Sequence, residues 1–84
     1  MTLNQLKQEV KEFEQKAGFS STNAGKLMEM LRKKAFTLSS NLDKEVAAYQ
    51  LIDLLVLTLQ LANRFNTDLD EEWIKHFKKA EKYL

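Results

Sequence analysis

Hydrophobic residues recur at steps of three and four positions along most of the chain, which is the spacing of an apolar stripe on an α-helix. Thr2 and Gln5 can form a capping box before the first stripe, and Gly18 suits the left-handed residue that follows a last helical turn. The pattern therefore predicts a first helix over about residues 3–17. Its stripe consists of Leu3, Leu6, Val10, Phe13 and Ala17.

A second stripe begins after Thr22 and Asn23, either of which can cap a helix. It consists of Ala24, Leu27, Met28, Leu31, Ala35 and Leu38. Ser39-Ser40-Asn41 then interrupts the apolar pattern. We therefore expect a second helix over about residues 23–38.

The third segment contains no Gly or Pro from Asp43 to about Phe65, so it is predicted to be one long helix. Residues 56–61 alternate weakly like a strand, but the length of the segment favours a helix. After Asn66, Asp68 can cap a fourth helix. The stripe of this helix consists of Leu69, Trp73, Phe77, Ala80 and Leu84. The predicted fold class is therefore all-α, with four helices in a single domain over residues 1–84.

The third helix is apolar around nearly its whole circumference, and such a helix must be covered on every side. Three amphipathic helices from the same small chain can cover only part of it. A second copy of the chain is the simplest cover for the rest, so we expect a homodimer. The residues predicted for its interface are Leu54, Val56, Leu57 and Leu61.

Composition narrows the class of protein. The chain has 84 residues and no Cys, which excludes disulfides and thiolate metal sites. Thirteen Lys and Arg against twelve Asp and Glu give a net charge of +1, without the basic excess that is typical of nucleic-acid-binding proteins.

The N-terminus is polar, and the longest apolar stretch, residues 51–62, is shorter than the about twenty residues of a membrane-spanning helix. We therefore expect a cytoplasmic protein without a signal peptide or a membrane partner.

Several short motifs resemble those of a known family. Residues 50–53 read Gln-Leu-Ile-Asp, residues 61–64 read Leu-Ala-Asn-Arg and residues 68–71 read Asp-Leu-Asp-Glu. They look like the E-x-x-D step, the L-A-x-R stretch and the D-L-x-x-A turn of the MazG-like, all-α nucleoside triphosphate pyrophosphohydrolases. Residues 34–38, Lys-Ala-Phe-Thr-Leu, lie where that family has E-x-x-E-L. The resemblance implies a MazG-like four-helix bundle.

The acids of that family bind Mg²⁺, which holds the triphosphate and activates a water for attack on phosphorus. The resemblance places the four ligand positions at Lys34, Thr37, Gln50 and Asp53. Only Asp53 is an acid, so these remnant positions are not expected to bind Mg²⁺. The resemblance also implies phosphate contacts from the last helix, for which His76 and Lys79 are the candidates.

Three functions remain open. The leading hypothesis is a catalytically degenerate MazG-like protein that acts as a non-catalytic interaction or nucleotide-sensing module and needs no cofactor. The first alternative is a Mg²⁺-dependent pyrophosphohydrolase, which converts a nucleoside triphosphate to the monophosphate and pyrophosphate. Its metal site would be relocated to Asp53 with Glu29 or Glu45. The second alternative is a small helical nucleic-acid-binding accessory protein, which rests on the basic run at residues 32–34 and on the C-terminal lysines.

Two interpretations of Lys34 and Asp53 also remain open. Each could simply lie on a solvated helix face. Alternatively, Lys34 replaces the metal as the counter-charge of Asp53, with Thr37 and Gln50 completing the hydrogen bonds. The second interpretation requires the second and third helices to form an antiparallel hairpin across the short joint at residues 39–43.

Overall fold

The computed structural model describes residues 1–40 and 43–81, with side chains in the last helix as far as Phe77. Within these residues the chain forms four α-helices and no strand, which confirms the predicted all-α class. The helices are α1 (Leu3–Ala17), α2 (Ala24–Ser40), α3 (Lys44–Arg64) and α4 (Leu69–Glu81). The side chain of Ala80 and all of Leu84, which were predicted for the fourth stripe, lie outside the described residues.

The ends of α1 are set by local sequence. The backbone N–H of Gln5 donates to Thr2 Oγ1 at 3.1 Å, and the backbone N–H of Thr2 donates to Gln5 Oε1 at 2.8 Å. These two bonds form the predicted capping box, which satisfies donors that a helix N-terminus leaves free. Gly18 ends the helix with φ of 79°, a left-handed conformation that glycine adopts at little cost. Both predicted ends of α1 are therefore confirmed.

The C-terminus of α2 lies two residues beyond the predicted one. The hydroxyls of Ser39 and Ser40 donate to the carbonyl oxygen of Phe36 at 2.7 and 3.0 Å, so they bond back onto the helix instead of ending it. At the other end, Asn23 Oδ1 accepts the backbone N–H of Lys26 at 2.8 Å, as a capping side chain does. Of the two predicted ends of α2, the interruption at Ser39 is therefore wrong and the cap at Asn23 is confirmed.

The third helix begins after Asp43, which caps it, and the fourth begins at the predicted cap, Asp68. Asp43 accepts the backbone N–H groups of Glu45 and Val46 at 2.9 and 3.2 Å. Asp68 accepts the backbone N–H of Glu71 at 3.0 Å. Between the two helices, Asn66 has φ of 53°, and the chain turns sharply there because this left-handed conformation cannot continue a helix.

The buried apolar residues lie mostly on α3, and those that form a contacting cluster lie between α2 and α3. Leu27 packs there against Leu57 and Leu61, with Ala24 and Leu31 at its edge. Since α1 and α2 both pack on α3, the third helix is the central element of the fold. Two of the predicted interface residues, Leu57 and Leu61, are therefore core residues of a single chain and are not available to a second copy. Leu54 and Val56 are only partly buried.

The middle of α3 carries large apolar side chains on its surface, among them Leu51, Ile52 and Leu55. The helix has 21 residues, and its most apolar window has a mean hydropathy of 1.4, so by length and composition alone it is long and apolar enough to cross a membrane. Core helices of soluble proteins meet the same criterion.

The contact between α1 and α4 is made by two helix N-termini that cap each other. Asp70 accepts the backbone N–H groups of Leu3 and Asn4 at 2.9 and 3.3 Å. In return, Asn4 Oδ1 accepts the backbone N–H of Leu69 at 3.0 Å, and Asn4 Nδ2 donates to Asp68 Oδ1 at 2.8 Å. Polar side chains therefore position α4 on α1.

Acid should weaken this contact. The hydrogen bond from the Asn4 amide, with those from backbone N–H groups, holds the pKa of Asp68 below its usual range. A carboxyl whose pKa is lower in the folded state stabilises the fold above its unfolded pKa, and this contribution is lost as the pH falls through the folded value. Between about pH 5 and pH 2 the side-chain amide resonances of Asn4 should shift toward those of the Asp68→Asn variant. If the Asn4 side-chain amide resonances of the Asp68→Asn variant shifted with pH as those of the wild type do, Asp68 would not be the titrating group.

Candidate functional site

A groove of about 430 Å³ follows the line along which α2 and α3 pack. Lys34 and Asp53 lie at one end of the groove, and Leu27 and Gln60 lie near its other end. On each helix the two ends are seven residues apart, which is roughly 10 Å at the helical rise. The end of α1 and the loop after it add aromatic side chains. The apolar lining consists of Phe13, Phe19, Leu27, Met30, Val56 and Leu57.

Lys34 and Asp53 form an ion pair. Lys34 Nζ lies 3.2 Å from Asp53 Oδ2, which confirms the predicted antiparallel approach of α2 and α3 at this level. The two side chains are 47% and 48% exposed. Water therefore competes with the pair, and its net contribution to stability is small. The pair places one positive and one negative group at the polar end of a mostly apolar groove.

Thr37 and Gln50 do not complete this pair. The Thr37 hydroxyl donates to the carbonyl of Lys33 on its own helix at 3.0 Å, and its side chain lines a separate cleft beside Phe36. The side-chain oxygen of Gln50 is buried and accepts no hydrogen bond from the described residues. The expectation that these two residues satisfy the hydrogen bonds of the pair is wrong for Thr37, because its hydroxyl bonds back to its own helix, and the Gln50 oxygen receives no hydrogen bond from Lys34.

The candidate relocated acids are held elsewhere. Glu29 lies 3.3 Å from Lys33 and 3.8 Å from Lys26, on the exposed surface of α2. The hydrogen bond from Lys33 lowers the pKa of Glu29, and the charge of Lys26 lowers it further. Glu45 lies in the exposed first turn of α3. In residues 1–40 and 43–81, no three His, Asp or Glu side chains converge as a metal site requires.

Of the two candidate phosphate contacts on α4, His76 does not line the groove. His76 Nε2 lies 2.8 Å from Glu72 on the same helix, and the ring is largely exposed. The side chain of Lys79 lies outside the described residues.

The sequence did not reveal a second ion pair, between Glu14 and Arg64. Glu14 is 1% exposed, and the Arg64 guanidinium donates to both of its carboxylate oxygens, through Nη1 at 3.0 Å and through Nη2. The hydrogen bond to Glu14 raises the pKa of Arg64, although partial burial acts against it. Glu14 follows Leu6 and Val10 at steps of four residues, so it lies on the same face of α1 as the apolar stripe. This spacing is the sequence signal that could have indicated its burial.

The half-exposed pair is expected to contribute little to folding. Lys34→Met and Asp53→Asn should each lower the free energy of unfolding by less than about 1 kcal/mol, with a coupling energy of roughly 0.2–1 kcal/mol. Urea denaturation of the two single variants and the double variant measures all three quantities. A coupling energy indistinguishable from zero would mean that the pair does not persist in solution.

Comparisons with protein-family models, with curated proteins and with solved structures found no match to this chain.

Proposed function

We propose that this chain is a non-catalytic, MazG-like binding module, whose groove takes a nucleotide or a similar amphipathic anion without hydrolysing it. The observation that carries the proposal is the position of the Lys34 ammonium group, 3.2 Å from the only carboxylate among the four ligand positions that the resemblance implies. A cation in this place neutralises Asp53. A divalent metal would need several oxygen ligands there, and a Lys supplies none.

The groove offers suitable contacts for such a ligand. A Lys ammonium has three donors, so Lys34 can remain paired with Asp53 and still donate to a phosphate oxygen. Phe13, Phe19 and Met30 provide apolar and aromatic surface for the flat face of a base. A site with a mostly apolar lining and a few polar groups at one end is typical of small-molecule binding.

The methionines provide the test. The chain has three, of which Met30 lines the groove while Met28 lies on the same helix outside it. In protein labelled with ¹³C at the methionine methyls, dCTP should shift the Met30 resonance and leave that of Met28 unchanged, with or without Mg²⁺. Lys34→Met should weaken this response, while Lys33→Met, the adjacent exposed position, should not.

Pyrophosphate release from dCTP or dUTP should remain at background with Mg²⁺ present. Magnesium-dependent release that Asp53→Ala abolishes would overturn the proposal in favour of a pyrophosphohydrolase. The absence of any Met30 response would overturn nucleotide binding.

We also propose that the module is a homodimer. The chain exposes 6584 Å², whereas a compact monomer of 9.8 kDa exposes roughly 5,200 Å². The difference of about 1,400 Å² exceeds the about 800 Å² that each partner buries in a standard interface. The exposed stripe of α3, formed by Leu51, Ile52 and Leu55, is the surface that we assign to the second copy.

Replacing Ile52 with Lys should dissociate this dimer, because a charge on the stripe would be desolvated in the interface. Ile74→Lys on α4 is the matched control, since Ile74 is 59% exposed and Ile52 is 60% exposed. Sedimentation velocity at micromolar concentration should show a dimer for the wild type and for Ile74→Lys, and a monomer for Ile52→Lys. A wild-type monomer, or dissociation by both variants alike, would contradict the assigned surface.

A further inference from the structure

The loop between α1 and α2, residues 18–23, closes one end of the groove. Phe19 and Thr22 of this loop line the groove wall. The N–H groups of Gly18 and Phe19 both donate to the carbonyl of Glu14, the second at 2.8 Å, and the N–H of Thr22 donates to the carbonyl of Phe19 at 3.1 Å. These bonds connect the loop to itself or to α1, so none of them ties it to α3.

Arg64 makes that connection. Its Nε donates to the carbonyl of Thr22 at 2.8 Å, and its Nη2 donates to the carbonyl of Phe19 at 3.3 Å. The two carbonyls belong to the two loop residues that line the groove. One guanidinium at the C-terminus of α3 therefore holds both wall residues through their backbone.

The guanidinium is itself held by a carboxylate on α1. Glu14 is almost fully buried and accepts hydrogen bonds from both terminal nitrogens of Arg64. A guanidinium is planar and presents five donors in fixed directions, so the bonds to Glu14 also orient the donors that reach the loop. Lys at this position could neutralise Glu14, but as a point charge it could not keep two carbonyls and a carboxylate in one fixed arrangement.

From these contacts we infer that Arg64 is a positioning residue of the groove, which sets the conformation of Phe19 and Thr22 and thereby prepares the site for its ligand without touching it. The inference rests on the proposed function, since it names what shapes the same groove. A preformed wall strengthens binding because the loop does not have to be ordered when the ligand arrives. A loop released from Arg64 would have to be ordered on binding.

Arg64→Lys, with Arg32→Lys as the matched control, tests this inference. Arg32 lies exposed on α2 outside the groove, so the control makes the same chemical change without affecting the loop. Native-state hydrogen exchange should show about tenfold or greater loss of protection at the Thr22 amide in Arg64→Lys, while the amides of Leu57 and Leu61 keep theirs. Faster exchange at all three amides would show general destabilisation instead of a released loop, and it would overturn the inference.

The second measurement is the affinity for dCTP, read from the Met30 methyl resonance. Arg64→Lys should weaken binding about five- to tenfold, and the Met30 shift at saturation should equal that of the wild type, because the ligand contacts are the same. Unchanged protection of Thr22, or an unchanged affinity in a wild type that binds, would overturn the inference. If the wild type does not bind dCTP, the proposed function fails, and the exchange comparison alone decides whether Arg64 holds the loop.

Discussion

Arg64→Met should lower the free energy of unfolding by about 3–5 kcal/mol, because it leaves the carboxylate of Glu14 buried without a partner. The variant also removes the hydrogen bonds that Arg64 donates to Phe19 and Thr22. The stability of a small domain is about 5–15 kcal/mol, so this single change is expected to remove a large part of it. Urea denaturation followed by circular dichroism measures the difference.

Two comparisons identify the buried charge as the cause. The double variant Glu14→Leu/Arg64→Met should be less destabilised than the sum of its single variants, since it leaves no buried charge uncompensated. Lys33→Met breaks the exposed pair with Glu29 and should cost less than about 1 kcal/mol. Equal costs for Arg64→Met and Lys33→Met would show that the burial of Glu14 does not matter in solution.

Leu27→Ala is expected to destabilise the protein by about 2–5 kcal/mol. Leu27 is 1% exposed and packs against Leu57 and Leu61, so truncation removes buried apolar surface and leaves a cavity between α2 and α3. The matched control is Met28→Ala at the neighbouring position, where the side chain is about half exposed. Its cost should stay within about 1 kcal/mol, because little buried surface is lost there.

If Leu27→Ala lowered the free energy of unfolding no more than Met28→Ala does, Leu27 would not be a core residue in solution. Chemical denaturation of both variants at equal protein concentration gives the comparison, since association with a second copy would add to the apparent stability of each.

The helix ends were predictable from the sequence because capping is local. Thr2 and Gln5 are three residues apart, and Gly18 acts through its own backbone conformation, so neighbouring residues contain the necessary information. The end of α2 was missed because Ser39 can either interrupt a helix or bond back onto it, and sequence does not distinguish these outcomes.

The long-range contacts were harder to predict. Lys34 and Asp53 could be paired in advance because the short joint between α2 and α3 sets which levels of an antiparallel hairpin meet. No such constraint links Glu14 to Arg64, which lie fifty residues apart on helices that are not consecutive. The uniform apolarity of α3 likewise did not reveal that Leu57 faces α2 rather than a second copy.

The mutual capping of α1 and α4 has a consequence for the motions of the folded chain. Hydrogen bonds between helix ends fix α4 in place, whereas its large aromatic side chains, Trp73 and Phe77, stack on each other and remain substantially exposed. Opening this junction would expose little additional apolar surface. The free energy of this opening is therefore expected to lie well below the free energy of global unfolding. The fourth helix should therefore behave as a separate cooperative unit, which detaches and returns many times while the hairpin of α2 and α3 remains folded.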